Sequence, residues 1–281
     1  MRIDTLLSAK NDWTQKDVEK MINDNTSSTG SETVSNWINA LDQNQLSTTD
    51  KNAIAKLKKW DGSNNLNDIA PTIYNKWIYF YLKNTFEDEL GTEKFNLFLG
   101  THIMKQVITA QSQNEQSIWW DNVTTKDKKE TRSQIITLSF KETISNLENH
   151  FGTDVNAWTW RKAHILEYNH PLGKVKLFNG FFNVGPYEIP GANEVINNLM
   201  YTYTHEKINQ VKAGPSTRRI VDFSDVENSV SILPSGNSGN PMSKHYNDQA
   251  QMYVDGNFRK MLLNKKEIEK LSTKMVFKPK S

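Results

Sequence analysis

Residues 214–249 read GPSTRRIVDFSDVENSVSILPSGNSGNPMSKHYNDQ, and their pattern decides the character of the second half of the chain. Arg219-Ile220-Val221-Asp222-Phe223 and Val230-Ser231-Ile232-Leu233 are short runs rich in β-branched residues, which fit a pleated, half-buried surface. The polar stretch 224–228 between them reads as the joining turn. Further on, residues 251–254 and 258–262 flank Asp255-Gly256-Asn257, a hairpin signal, because glycine tolerates the positive φ such turns require. Asn264 with Glu267 three residues later offers a cap for a last helix holding Ile268 and Leu271. Residues 153–281 therefore read as a strand-rich segment with a C-terminal helix, punctuated by Gly and Pro.

Working back towards the N-terminus, the period changes at Gly152. Residues 1–152 read as a mainly helical segment. Val34, Trp37, Ile38 and Leu41 follow the i, i+3, i+4, i+7 spacing of a buried helical face, with Ser31 as N-cap after a Ser/Thr/Gly loop at 26–30. Ala53, Ile54 and Leu57 lead to Trp60, where Asp61-Gly62 stops a second helix. A third should begin near Asp68, accept Pro71 in its first turn and bury Ile73, Trp77 and Phe80. A fourth should follow a cap at Thr124-Thr125 and carry Ile136, Phe140, Ile144 and Leu147 until Gly152 ends it. No internal repeat is visible. The two segments read as parts of one larger α+β domain.

Composition bounds the function. The 281 residues hold 34 Lys plus Arg against 32 Asp plus Glu, a net charge of +2, which argues against a nucleic-acid binder working by bulk charge. The mean hydropathy of −0.68 is polar for a folded chain, yet aromatic residues make up 10% and include eight Trp, so the chain reads as globular rather than disordered. There are no cysteines, which excludes disulfides, thiolate metal sites and cysteine nucleophiles. After Leu6-Leu7 the N-terminus turns polar at Ser8, so no export signal is expected there. The longest apolar stretch, residues 77–82, is far shorter than the roughly 20 residues that span a bilayer, and no membrane span is expected.

Candidate chemistry is sparse. Gly236-Asn237-Ser238-Gly239-Asn240 resembles a G-x-S-x-G elbow, but the second glycine is displaced by one position, so Ser238 reads as a loop serine. Gly30-Ser31 could be a self-cleavage point freeing a serine whose own α-amine serves as base, but a serine in that role should open a strand, and Ser31 reads as a helix cap. The histidines are His102, His150, His164, His170, His205 and His245. None lies in H-E-x-x-H, and His164 with His170 lacks the i, i+4 spacing of two metal ligands on one helical face. Trp119-Trp120-Asp121 and Trp158-Thr159-Trp160 read as buried anchors rather than carbohydrate platforms. The basic run 126–132, broken by Asp127 and Glu130, reads as an exposed helix start rather than a phosphate site. No glycine-rich phosphate loop or dinucleotide fingerprint is present.

Several motifs in one order resemble the closing region of the penicillin acylase (penicillin amidase) family. They are Gly214-Pro215-Ser216-Thr217-Arg218, Val221-Asp222-Phe223-Ser224-Asp225 with Asn228-Ser229, the run from Leu233 through Gly236-Asn237-Ser238-Gly239-Asn240 to Pro241, and Ser243-Lys244-His245-Tyr246-Asn247-Asp248-Gln249. Upstream, Arg2-Ile3-Asp4-Thr5, Trp60-Asp61-Gly62, Trp119-Trp120-Asp121, His164, His170-Pro171-Leu172 and Asn183-Val184-Gly185-Pro186 fall in the same order. The resemblance covers nearly the whole chain. Asn237 and Asn240 depart from the family's usual G-Q-S-G-H-P, and Asn247 from its H-Y-D-D-Q.

That resemblance implies the C-terminal part of a four-layer αββα N-terminal nucleophile hydrolase, in which an exported precursor cuts itself and a freed serine attacks an amide carbonyl. It also implies that the serine, the oxyanion-hole groups, a nearby arginine and any calcium ligands precede the segment resembled by Arg2-Ile3-Asp4. No catalytic, cofactor-binding or metal-ligating residue is therefore assigned to this chain, and calcium is expected only in a full-length parent, periplasmic or otherwise exported. The implied partners are the alpha chain and the start of the beta chain of the same precursor, with a small acylated amine as substrate. By the same resemblance, strands 219–223 and 230–233 should join the core sheets, and their neighbours should lie in those partner segments. An isolated polypeptide would then be unstable or need its partner. A non-catalytic scaffold or binding module reusing this half of the fold is the alternative. An independent enzyme with its own site fits least, because no nucleophile and base pair stands out.

Overall fold

The computed structural model describes residues 2–279. Met1, the first residue of the stretch read for an export signal, and the last two residues of the strand-rich segment lie outside the described residues. In chain order the helices are α1 (Arg2–Leu7), α2 (Gln15–Ile22), α3 (Gly30–Ala40), α4 (Thr48–Leu57), α5 (Ala70–Phe98, interrupted at Gly91), α6 (Ile103–Gln113), α7 (Arg132–Phe151), α8 (Asn179–Phe182), α9 (Ala250–Val254) and α10 (Lys265–Leu271). The strands are β1 (His164–Tyr168), β2 (Val184–Glu188), β3 (Asn209–Gln210), β4 (Arg218–Ile220), β5 (Val230–Ile232) and β6 (Arg259–Lys260).

The helical core forms where the apolar spacing placed it. Trp37 of α3, Trp77 of α5 and Phe140 of α7 are fully buried. The ring centroids of Trp37 and Trp77 lie 5.0 Å apart and those of Trp77 and Phe140 4.5 Å, while Tyr81 stacks obliquely on Trp37 at 4.5 Å. Such tilted aromatic pairs gain electrostatically beyond the area they bury. Ile73, Ile136, Ile144 and Leu147 complete the layer. Helix α4 opens on a reciprocal cap in which Ser47 accepts from the Asp50 amide and the Asp50 carboxylate accepts from the Ser47 amide. Gly152 ends α7 at φ 83°, a conformation that would strain any side chain bearing a Cβ.

Two helix starts differ from the sequence reading. Thr29, not Ser31, precedes α3; its side chain makes no cap bond, and Ser31 sits inside the first turn. Helix α7 is capped by Thr131 through a box with Gln134, not by Thr124-Thr125. The reason is local: Asn122 and Glu130 gather the hydroxyls of Thr124 and Thr125 into a loop, so 126–131 stays outside the helix and of the basic run only Arg132 enters its first turn.

The second half holds two three-stranded sheets, ordered β2-β1-β3 and β4-β5-β6. Strand β1 pairs antiparallel with β2 and parallel with β3, and β5 pairs antiparallel with both β4 and β6. The expected strand 219–223 is shorter, because Val221 and Phe223 turn outward (Phe223 is 91% exposed) and Asp222 accepts hydrogen bonds from Ser224 to begin the loop. The expected hairpin around Asp255-Gly256-Asn257 is absent. Gly256 does take a positive φ of 72°, but residues 250–254 form α9, which buries Tyr253, and β6 pairs with β5 instead. Burial of one aromatic side chain on a short helical face outweighed the local turn signal. Helix α10 is capped by Asn264 as expected, but Leu271 is 73% exposed and Ile268 lies on the surface.

Two buried polar groups, Lys76 and Arg218, tie the second half to the first, and a third, His164, braces the second half internally. Lys76 of α5 donates from Nζ to the carbonyls of Thr204 and Glu206, and burial pushes its ammonium down to about 8. Arg218 of β4 donates to Oδ1 of Asn23 (3.1 Å), Oδ1 of Asn197 (2.7 Å) and the Tyr253 carbonyl (3.2 Å), with its guanidinium 4.1 Å from the Tyr253 ring centre. His164 opens β1 stacked on Trp160, centroids 4.7 Å apart, and its Nδ1–H donates to the Ile189 carbonyl at 2.7 Å. Burial pushes the His164 imidazole down to about 4.

Truncating Trp77 to Ala should destabilise the chain by about 3–5 kcal/mol, read as a fall in the urea midpoint at unchanged slope; a loss under 1 kcal/mol would contradict the packing described. His164 sets a pH dependence. Because its folded pKa lies below the roughly 6.5 of an unfolded histidine, its contribution is fully present above that value and is lost as pH falls towards 4. The difference is on the order of 3 kcal/mol. In His164→Asn this part of the stability loss between pH 7 and pH 4 should vanish; an unchanged pH profile would contradict the assignment.

Candidate functional site

A cavity of about 650 Å3 opens between β1, the segment 210–216 that continues from β3, Pro234 and Tyr253 of α9. Leu166 and Tyr168 of β1, Leu199, Val211, Pro234 and Tyr253 form an apolar wall, with Glu167, Asn169 and Lys212 at the rim. Burial raises the Tyr168 and Tyr253 phenols, keeping both neutral. Apolar walls with few polar groups suit a hydrophobic segment or acyl chain better than an ionic ligand. Among the described residues, no hydroxyl on this wall is hydrogen-bonded to a histidine or carboxylate, and the Tyr253 hydroxyl donates to the Pro215 carbonyl.

The residues nominated from sequence fall in several places. Ser31 is half-buried in helix α3, where its carbonyl accepts from the Ser35 hydroxyl. Ser238, His245 and Asp248 do come together around a smaller cavity of about 410 Å3. His245 Nδ1 lies 2.8 Å from Asp248 Oδ2, but Ser238 Oγ accepts from the Asn240 amide at 3.1 Å and has no bond to the imidazole. A serine–histidine–aspartate relay is therefore incomplete in this arrangement.

The other histidines serve structure. His170 accepts from the Leu172 amide at 3.1 Å and stacks on Phe182, and His150 donates from Nε2 to the His205 carbonyl at 3.0 Å. His205 itself hydrogen-bonds the Tyr79 hydroxyl at 3.1 Å. His102 is exposed just before α6. No group of three His, Asp or Glu side chains that could hold a metal ion occurs among the described residues. Trp120, Trp158 and Trp160 are buried, and each donates its Nε1–H to a backbone carbonyl, of Asn114, Gly152 and Gly191 respectively. No helix among the described residues is long and apolar enough to cross a membrane.

Sequence reasoning passed over Lys76 and Arg259, and named Arg218 as part of a motif without a role. Lys76 had a signal, a lone charge in the otherwise apolar run beside Trp77. The role of Arg218 depends on residues far away in the chain, and nothing local marks Arg259.

Comparison with known proteins places this geometry. An acyl-homoserine lactone acylase QuiP from Pseudomonas syringae pv. syringae (strain B728a) is 26% identical over 234 residues, 78% of this chain and 27% of that protein. The acylase of the same name from Pseudomonas fluorescens (strain Pf-5) is 28% identical over 203 residues, 70% of this chain and 24% of that protein. The chain thus spans about a quarter of the length of these relatives. A solved structure of the thermostable penicillin G acylase from Alcaligenes faecalis superposes with a TM-score of 0.51 at 13% identity, covering 100% of this chain and 53% of that one. The likeness is one of fold, and this chain matches it with helices and small sheets. The family model described as penicillin amidase matches residues 1–270, and on that match the chain belongs to the penicillin amidase family.

Proposed function

We propose that this chain is the C-terminal part of an acylase that hydrolyses the amide bond of a small N-acylated amine. The observation that carries the reading is the family match over residues 1–270. Relatives named acyl-homoserine lactone acylases make an N-acyl-homoserine lactone the first substrate to test. In this reading the attacking serine, its free α-amine and the oxyanion donors belong to the preceding part of the same precursor, its alpha chain and the start of its beta chain. The serine Oγ attacks the amide carbonyl, the amine departs with a proton from the α-amine, and water then cleaves the acyl ester to a carboxylic acid. Calcium, where the complete enzyme uses it, is assigned to ligands outside this chain, and the assembled enzyme is assigned to an exported, periplasmic location.

The residues here contribute wall and framework. Strands β4 and β6 edge one sheet, and β2 and β3 the other, and unpaired edges invite further strands. Phe223 (91% exposed), Leu177 (85%) and Phe277 (88%) are large apolar side chains whose burial would favour such an assembly.

The purified chain, incubated with an N-acyl-homoserine lactone, should release no homoserine lactone and carry no acyl mass on any residue by mass spectrometry. Co-expression with the preceding part of the precursor should restore release. Turnover or acylation by the chain alone would overturn the reading.

A further inference from the structure

The loops 234–240 and 243–249 form a built cradle that the proposed chemistry does not use. At Gly236 a Cβ would lie 2.1 Å from the His245 carbonyl oxygen, so the two loops meet at a distance only glycine allows. The Ser238 amide donates to that same carbonyl at 3.0 Å, and the Gln249 amide to the Ser235 carbonyl at 2.9 Å. Gln249, 3% exposed, accepts from the Leu233 amide and donates to Oδ1 of Asn237. Asn237, Ser238, Ser243, His245 and Asp248 are thus held around the 410 Å3 cavity, which Arg259 of β6 also lines.

A census of the lining groups shows a surplus of donors. Asn237 spends its oxygen on Gln249 and keeps its NH2 free. Ser238 Oγ and Ser243 Oγ each accept from a backbone amide, which leaves both hydroxyl protons to give. The carboxylate lining the cavity, Asp248, is engaged by His245 Nδ1, which leaves Nε2 facing no protein partner among the described residues. The Arg259 guanidinium has no ion pair or hydrogen bond among them. One guanidinium without an ion pair, beside three further donor groups (the Asn237 NH2 and the Ser238 and Ser243 hydroxyls), matches a planar monoanion better than a dianion, because guanidinium and carboxylate share a two-pronged geometry.

We propose that this cavity is a binding site for the carboxylate group of a small organic acid, held by Arg259 and capped by Ser238 and Ser243. The inference stands on the cradle alone and does not depend on the acylase reading. Acetate is the probe, titrated into the full chain while the His245 ring resonances are followed by NMR. They should shift saturably, and Arg259→Gln should weaken the binding at least tenfold while circular dichroism stays unchanged. Ser238→Ala with Ser243→Ala should weaken it severalfold, which keeps the test open should Arg259→Gln fail to fold. A shift linear in acetate, an unchanged affinity in the variants, or tighter binding of inorganic phosphate than of acetate would overturn the proposal.

Discussion

The burial of Trp77 between Trp37 and Phe140 is the contact on which the rest of the structure depends. It brings α3, α5 and α7 to one point in the sequence-distant first half, at ring separations of 5.0 and 4.5 Å, and close packing there leaves little freedom in how the three helices cross. Lys76, one residue before Trp77, then faces away from that cluster towards residues 204–206. A charge so buried is tolerated because two carbonyls receive it. The helical core thereby fixes the segment that leads into β3, and with it one side of the larger cavity.

The sheets are a different kind of structure. Their strands are two to five residues long, and among the described residues no further strand pairs with either edge of each sheet. What holds the second sheet to the first half is a polar joint, Arg218 with Asn23, Asn197 and Tyr253. Such a joint sets direction well, since three fixed acceptors define the guanidinium plane, but buries little apolar surface. The chain spans about a quarter of its relatives' length, and its apolar burial is concentrated in the helical core.

Much of this was legible in the sequence, and the failures share a cause. The helical faces through Val34, Trp37, Ile73, Trp77, Ile136 and Phe140 could be read because helical burial follows a local period. Thr131 displaced Thr124-Thr125 as a cap because Asn122 and Glu130 claimed those hydroxyls, a competition among polar side chains that periodicity does not register. The Asp255-Gly256-Asn257 signal gave the correct turn residue and the wrong neighbours, since Tyr253 is buried against Arg218 and Pro215, nearly forty residues upstream. At the candidate sites, the motif residues Gly236, Ser238, His245 and Asp248 could be named individually. Their convergence with Arg259 rests on the pairing of β5 with β6, a long-range contact that no local pattern encodes.

Hydrogen exchange on the isolated chain, resolved by segment, tests this division most directly. Amides of α5 before Gly91 and of α7 should be protected far more strongly than those of β4, β5 and β6, because only the helices close their hydrogen bonds over a dry aromatic core. Strand and helix amides opening together with one common free energy would contradict it, and would mean that the sheets need no neighbours beyond these residues.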